Sequence, residues 1–256
     1  MTIALGMRCM DGMVLCTDSL ETDGVTKRLV NKLWVYEVQH LGQPEWGIAI
    51  GSAGEGDLAD SFNDDLKEIL GNSDFDEVKL LSRLRTALRA VRVSYPESQF
   101  GFLAAIYGNP KLYSKLFRVM DGSSHLGPVK KYQAIGLGAG IANFLASKLY
   151  TPSMCIAEAA RLGAFILNQV KQQTEGCDGP TSLVTVGGIG NDYHGFRLWS
   201  RDEINSLEAE ISEEKFREGL AKFWREYNPN PTFTPLSASE GGSAHWTTTV
   251  KLNTQP

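Results

Sequence analysis

The chain is poor in residues that hold metals or disulfides. Its 256 residues include four cysteines and four histidines. Cys9, Cys16, Cys155 and Cys177 contain no CxxC pair, and the first three lie in apolar stretches. That pattern points to reduced, mostly buried thiols rather than a metal or disulfide framework. His40, His125, His194 and His245 lie far apart, without the i, i+3 or i+4 spacing of helical metal ligands. No metal or cofactor is therefore expected. Long apolar runs are also missing, and no stretch approaches the length of a membrane span. The first residues lack the charged region, apolar stretch and cleavage site of a signal peptide. A cytosolic location with no membrane partner is the expectation. Basic charge is scarce too: 25 Lys and Arg stand against 30 Asp and Glu, a formal net charge of −5. Nucleic-acid binding requires a basic footprint, so no such partner is expected. The densest basic stretch, Arg83 to Arg92, alternates with Leu and Val and reads as the polar face of an amphipathic helix.

What remains is an ordinary globular composition, 42% hydrophobic and 21% charged. The length suits one large domain or two small ones. TIALGMR alternates Ile3, Leu5 and Met7 with the small Ala4 and Gly6, a strand pattern. Asp11-Gly12 signals a tight turn, and MVLCTD returns as a strand buried on both faces. An ideal two-residue turn there pairs Asp18 with Leu5. KRLVNKLWVYEV reads as a strand pair and WGIAI as a buried strand running into a small-residue turn. Two amphipathic helices follow, the second carrying Val78, Leu81, Leu84, Leu88 and Val91. Further strands are FGFLAAIYG and KLYSKLFRVM, joined by an Asn109-Pro110 turn, and one near KKYQAIG. A second helix pair contains IANFLASKLY and a stretch from Met154 that is apolar or small almost all round, as in a helix packed between layers. TSLVTVGGIG and YHGFRLWS read as strands and RDEINSLEAEI as a helix. The order is strands, two helices, strands, two helices, strands. Two stacked sheets with helices outside would bury all of these faces, an α+β, four-layer αββα sandwich. Residues 1–210 form that domain. Residues 211–256 form a C-terminal extension: an amphipathic helix with Phe216, Phe223 and Trp224, a loop rich in Pro, Ser and Gly, and a short strand.

One residue stands out chemically. A threonine hydroxyl needs a base, and a free α-amine, with a reference pKa of about 7.7–8, can serve. Thr2 would carry both groups if Met1 were removed. Cys9 and Cys16 are rival nucleophiles by type, but neither has a His nearby in sequence. Gly136-Leu137-Gly138, within GLGAG, lacks the GxGxxG spacing of a nucleotide loop.

The stretch TxxxGxxxxDGMVLCTDS, then NKLW, then IAIGSAG, resembles the β subunits of the proteasome and their bacterial relatives, N-terminal-nucleophile hydrolases. The likeness continues through AIGLGAG, CDGPTSLVTVGG and RDEI, over roughly residues 2 to 210. It implies the αββα sandwich and a threonine-type endopeptidase working through an acyl-enzyme on Thr2, with Asp18, Lys32, Gly51, Asp178 and Thr181 as its catalytic set. Lys32 would depress the pKa of the Thr2 amine, and Asp18 would hold Lys32 in place. The Gly51 N–H would stabilise the oxyanion. Asp178 and Thr181 match an Asp-x-x-Ser motif near the amine, with Thr replacing Ser. Val30, Trp34, Ala49 and Ala53 would shape the substrate pocket. The resemblance also implies a peptide or protein substrate and self-association into a ring or related assembly. An unfoldase partner is left unnamed. The segment from about Glu213 onward extends past the resemblance, and its aromatic helix and Pro-rich loop would cover a sheet edge or a neighbouring subunit, the latter favoured. One departure is clear: Leu137 stands where the family usually has a serine whose hydroxyl contacts the threonine amine, and leucine offers no hydrogen bond. Two alternatives follow, an inactive scaffold subunit, and an amidase or transpeptidase using the same acyl-enzyme.

Overall fold

The structure, a computed structural model, describes residues 2–22, 26–40, 43–70, 76–97, 99–108, 113–120, 122–187 and 195–210. The chain divides into two units, Met1–Ser212 and Glu213–Pro256. The second unit and the expected Asn109-Pro110 turn lie outside the described residues.

The first hairpin is β1 (Ile3–Arg8) and β2 (Gly12–Thr17). A small ribbon, β3 (Leu20–Thr22) and β4 (Lys27–Leu29), follows. Next come β5 (Leu33–His40), β6 (Gln43–Gly54), α1 (Gly56–Leu70) and α2 (Glu77–Ser94). Then come β7 (Phe100–Gly108), β8 (Tyr113–Val119), β9 (Gly127–Val129) and β10 (Tyr132–Gly136). The last elements are α3 (Ala139–Leu149), α4 (Ile156–Gln173), β11 (Ser182–Gly187), β12 (Phe196–Leu198) and α5 (Arg201–Glu210). Among the described residues, one antiparallel sheet runs β10-β1-β2-β11-β12 and a second runs β5-β6-β7-β8-β9. None of the described helices is long and apolar enough to cross a membrane.

Residue size explains the layering. Ala4 of β1 and Met13 and Leu15 of β2 meet Ala49, Leu103 and Ala105 of the second sheet in a core between the sheets. On the far side of the second sheet, Ile48, Ile50, Phe100, Phe102 and Ile106 pack against Phe62, Leu66, Leu84 and Leu88 of α1 and α2. On the far side of the first sheet, α4 packs against β1 and β2, flanked by α3 and α5. The result is the expected four-layer sandwich. Helix α2 buries Leu80, Leu81, Leu84, Leu88 and Val91, whereas Val78 is exposed. The expected apolar stripe therefore begins at Leu80.

Two expectations need correction. KRL and LWVYEVQH do not pair with each other: β4 pairs with β3, and β5 pairs with β6. The first hairpin also does not turn at Asp11-Gly12: the Cys9 N–H donates to the Gly12 carbonyl (2.7 Å), which sets the turn one residue earlier. Arg8 pairs with Met13 and Ala4 with Thr17, leaving four residues in the connection. The cause is tertiary. The Asp11 carboxylate accepts the Ile156 N–H at the start of α4 (2.8 Å), and the Met10 N–H reaches the Met154 carbonyl (2.9 Å). A Cβ on Gly12 would lie 2.1 Å from the Val186 carbonyl oxygen of β11. The residues that signal a turn are thus engaged by α4 and β11. The register moves by two, which keeps every side chain on its face and brings Asp18 opposite Ile3.

Gly12→Ala is expected to cost more than about 2 kcal/mol in equilibrium unfolding, because its clash is with backbone. Gly140 has nothing within 4 Å of its Cβ position and lies in α3, so Gly140→Ala should gain about 0.5–1 kcal/mol.

Candidate active site

The shifted register brings three polar side chains into the interior at the start of β1. Thr2, Asp18 and Lys32 are 2%, 0% and 6% exposed. The Thr2 hydroxyl donates to Asp18 Oδ1 (2.6 Å), the Ile3 N–H donates to the same oxygen (3.0 Å), and so does Lys32 Nζ (3.0 Å). Lys32 Nζ also donates to the Leu20 carbonyl. The second Asp18 oxygen accepts the Asp178 N–H (3.3 Å). Thr2 and Asp18 therefore touch directly, where an ideal turn would have left Lys32 as their only link. Burial pushes the Lys32 ammonium below the usual lysine value of 10.5, against the upward pull of Asp18.

The main chain of Thr2 is fixed as well. Its carbonyl accepts the Leu137 N–H (2.9 Å). Gly136 has φ +90°, and a Cβ there would lie 2.2 Å from that carbonyl oxygen. Leu137 thus contributes its backbone, while its side chain is 52% exposed. Asp178 acts through its main chain too. Its N–H serves Asp18, its carbonyl accepts the Leu20 N–H, and its exposed carboxylate accepts the Gly179 N–H. Thr181 lies elsewhere: its hydroxyl donates to Glu208 (2.7 Å) and accepts from Lys171 (2.8 Å). Lys171 also pairs with Glu208 (3.2 Å) and donates to the Gly179 carbonyl. This cluster ties the Asp178 loop to α4 and α5.

A cavity of about 810 Å³ opens at Thr2, lined also by Glu21, Arg28, Gly54, Glu55, Gly56, Asp57, Gly136 and Leu137. A narrower recess shares Thr2, Glu21, Gly54 and Gly56 with it and adds Val30, Lys32, Ser52 and Asp60. Of the four expected pocket residues, Val30 alone lines either space. Ala49 and Ala53 are buried between the sheets, and Trp34 packs against the core under α1 and α2.

Gly51 is also displaced from the expected role. Glu55 N–H donates to Gln99 of the β7 side, and Ser52 N–H to Lys32 of the β5 side (2.9 Å each). Successive residues of an antiparallel strand direct their N–H groups to alternate edges. Gly51 therefore bonds within the ladder to β7, opposite Leu103. Gly54 directs its N–H to the other edge, beyond the point where β5 begins at Leu33. The offset between Gly51 and Gly54 is three, an odd number, so it also exchanges faces. That is why Ser52 and Gly54 line the cavities and Ala49 and Ala53 do not. The carboxylates Glu21, Glu55, Asp57 and Asp60 had no periodic or motif signal in the sequence beyond the small-residue turn that carries two of them, Glu55 and Asp57.

The rival thiols are unsuited to attack. Burial pushes Cys9 and Cys16 each up to about 12, far from the thiolate form. Asp18→Ala would leave the Lys32 ammonium buried without its partner. It should cost about 3–5 kcal/mol in denaturant unfolding, against about 1 kcal/mol or less for Asp178→Ala, whose exposed carboxylate makes one local bond. Equal costs would contradict the arrangement.

No family model matches the chain. It is 27% identical over 237 residues to a proteasome subunit alpha from Methanosphaerula palustris, covering 83% of this chain and 85% of that one. Among solved structures it resembles a Gly-1 mutant of Anbu from Hyphomicrobium sp. strain MC1, with TM-score 0.71 and 17% identity over 87% of this chain and 97% of that one. Anbu, described as an ancestral beta-subunit, from Yersinia bercovieri gives TM-score 0.70 and 12% identity over 93% and 100%. The helical assembly of the Anbu complex from Pseudomonas aeruginosa gives TM-score 0.70 and 12% identity over 92% and 99%. In fold this chain resembles these Anbu structures, and in sequence it is similar to a proteasome subunit alpha.

Proposed function

We propose that the chain is an N-terminal threonine peptidase that acts once Met1 has been removed. The observation that carries this reading is the contact of the Thr2 hydroxyl with Asp18, on the oxygen that also holds Lys32, at the wall of a cavity large enough for a peptide segment. The freed Thr2 amine takes the hydroxyl proton as Oγ attacks the scissile carbonyl carbon. The carbonyl π electrons move to oxygen, and the Gly54 N–H, unlike that of Gly51, is directed to receive the oxyanion. Collapse breaks the C–N bond, and the Thr2 ammonium gives its proton to the departing amine. Water then cleaves the ester and restores Thr2. Lys32 keeps the Thr2 amine neutral by its charge, and Asp18 holds hydroxyl and ammonium together. The Leu137 N–H fixes the Thr2 carbonyl, which offsets the missing serine hydroxyl by holding the residue from its other end. Asp178 positions Asp18 through its N–H, and Thr181 supports the Asp178 loop.

Thr2→Ala should abolish peptide hydrolysis in protein whose mass shows Met1 removed. Retained hydrolysis would overturn the reading. Lys32 must be charged to act, and burial lowers its pKa. Activity should therefore be lost on the alkaline side at a pH below 10.5, as Lys32 gives up its proton. A limb at or above 10.5 would contradict the role.

The scaffold reading draws on one feature, the Leu137 side chain that leaves the amine without a hydroxyl partner. Protein that loses Met1 yet hydrolyses no peptide would favour it. We also propose self-association, supported by the similar structure described as a helical assembly. A monomeric mass by light scattering would count against that.

A further inference from the structure

The larger cavity at Thr2 is lined by Glu21, Glu55 and Asp57, with Arg28 as its only cation among the described residues. Arg28 is already engaged. Its Nε pairs with Glu21 Oε2 (2.6 Å) and its Nη2 with Asp57 (3.2 Å). The narrower recess adds Asp60 and Lys32, and Lys32 is paired with Asp18. The space beside the nucleophile therefore carries more carboxylate than cation.

The recess has a more specific chemistry. Its free volume is about 10 Å³, room for one water-sized group. Every polar side chain at it other than the paired Lys32 and Asn31 presents an acceptor. Glu21 is held rigidly, since its Oε1 accepts the Gly56 N–H (2.8 Å) while Oε2 holds Arg28. Asp60 makes no hydrogen bond or ion pair to another described residue. Ser52 is only 2% exposed and lines the recess, and its hydroxyl makes no hydrogen bond to another described residue. A hydroxyl so placed accepts a hydrogen bond from a donor that enters the recess.

We propose that this site selects peptides with a cationic side chain next to the scissile carbonyl, lysine above all. The aliphatic stem would lie along Gly54 and end at the Glu21 carboxylate, which occupies the space beside Gly56. The ammonium is a compact donor of three hydrogen bonds, and Asp60, Glu21 and the Ser52 hydroxyl supply acceptors. An apolar side chain would desolvate Asp60 and leave Ser52 unsatisfied. An acidic one would meet the carboxylates directly. The selectivity rests on Thr2 being the nucleophile, so the test separates the two.

The test uses the full chain with Met1 removed and three fluorogenic peptides that differ only in the residue before the scissile bond: Lys, Leu or Asp. The Lys peptide should have kcat/KM roughly tenfold above the Leu peptide, the gain of one partly buried charge contact, and the Asp peptide should be slowest. Asp60 is exposed on α1, so Asp60→Asn should fold. It should lower the Lys-to-Leu ratio at least roughly threefold. Glu21→Gln should lower the ratio in the same direction. A Leu or Asp preference in the natural chain overturns the proposal, as does a ratio unchanged by both substitutions. Hydrolysis that survives Thr2→Ala overturns the nucleophile and the selectivity together, whereas hydrolysis lost in Thr2→Ala with no Lys preference overturns the selectivity alone.

Discussion

One buried carboxylate organises the site. Asp18 is fully enclosed and receives four donors, the Thr2 hydroxyl, the Ile3 N–H, the Lys32 ammonium and the Asp178 N–H. An ionised group taken out of water is costly unless it is paired and hydrogen-bonded. These contacts meet that requirement and also fix the positions of β1, the Lys32 segment and the Asp178 loop relative to one another. The network is hard to change piecemeal, since removing one partner leaves the others with unmet charge. It also confines the Thr2 hydroxyl to one geometry.

The surroundings support that geometry from several layers. The Leu137 N–H holds the Thr2 carbonyl, and Gly136 lets that carbonyl approach. Behind the Asp178 loop, Lys171, Thr181 and Glu208 connect α4, β11's leading segment and α5. The two sheets bury Ala4 against Ala49 and Leu103, so the strand that begins at Ile3 lies in a dense core rather than fraying as chain ends usually do. In contrast, the cavities at Thr2 are lined by glycines, Gly54 and Gly56, and by carboxylates.

The layer architecture was legible because periodicity records burial directly. Ile3, Leu5 and Met7 alternate with Ala4 and Gly6, and the leucines of α2 recur at helical spacing. Thr2, Asp18 and Lys32 were legible from motif and converge in space. Register was less legible. Asp11-Gly12 has the chemistry of a two-residue turn, but Asp11 caps α4 and Gly12 lies against β11, contacts that no local rule contains. The glycine at the cavity was misplaced for a related reason. IGSAGEG offers Gly51 and Gly54, and only the pairing of β6 with both neighbours decides which N–H is committed. Ala49 and Ala53 share the face of Gly51 between the sheets, and Trp34, on the opposite face, packs under α1 and α2. The acidic wall came from residues on β3, the β6–α1 turn and α1, and their meeting is a property of the fold rather than of any segment.

The central claim is that the Thr2 hydroxyl is the reacting group and that its chain position, behind a removable Met1, makes it so. The most direct measurement is covalent trapping with a peptide electrophile, followed by fragmentation mass spectrometry of the adduct. The account predicts a single adduct on an N-terminal Thr2 in chains that have lost Met1, and none in chains that retain it. An adduct on Cys9, Cys16 or Cys177, or labelling of chains with Met1 in place, would contradict it.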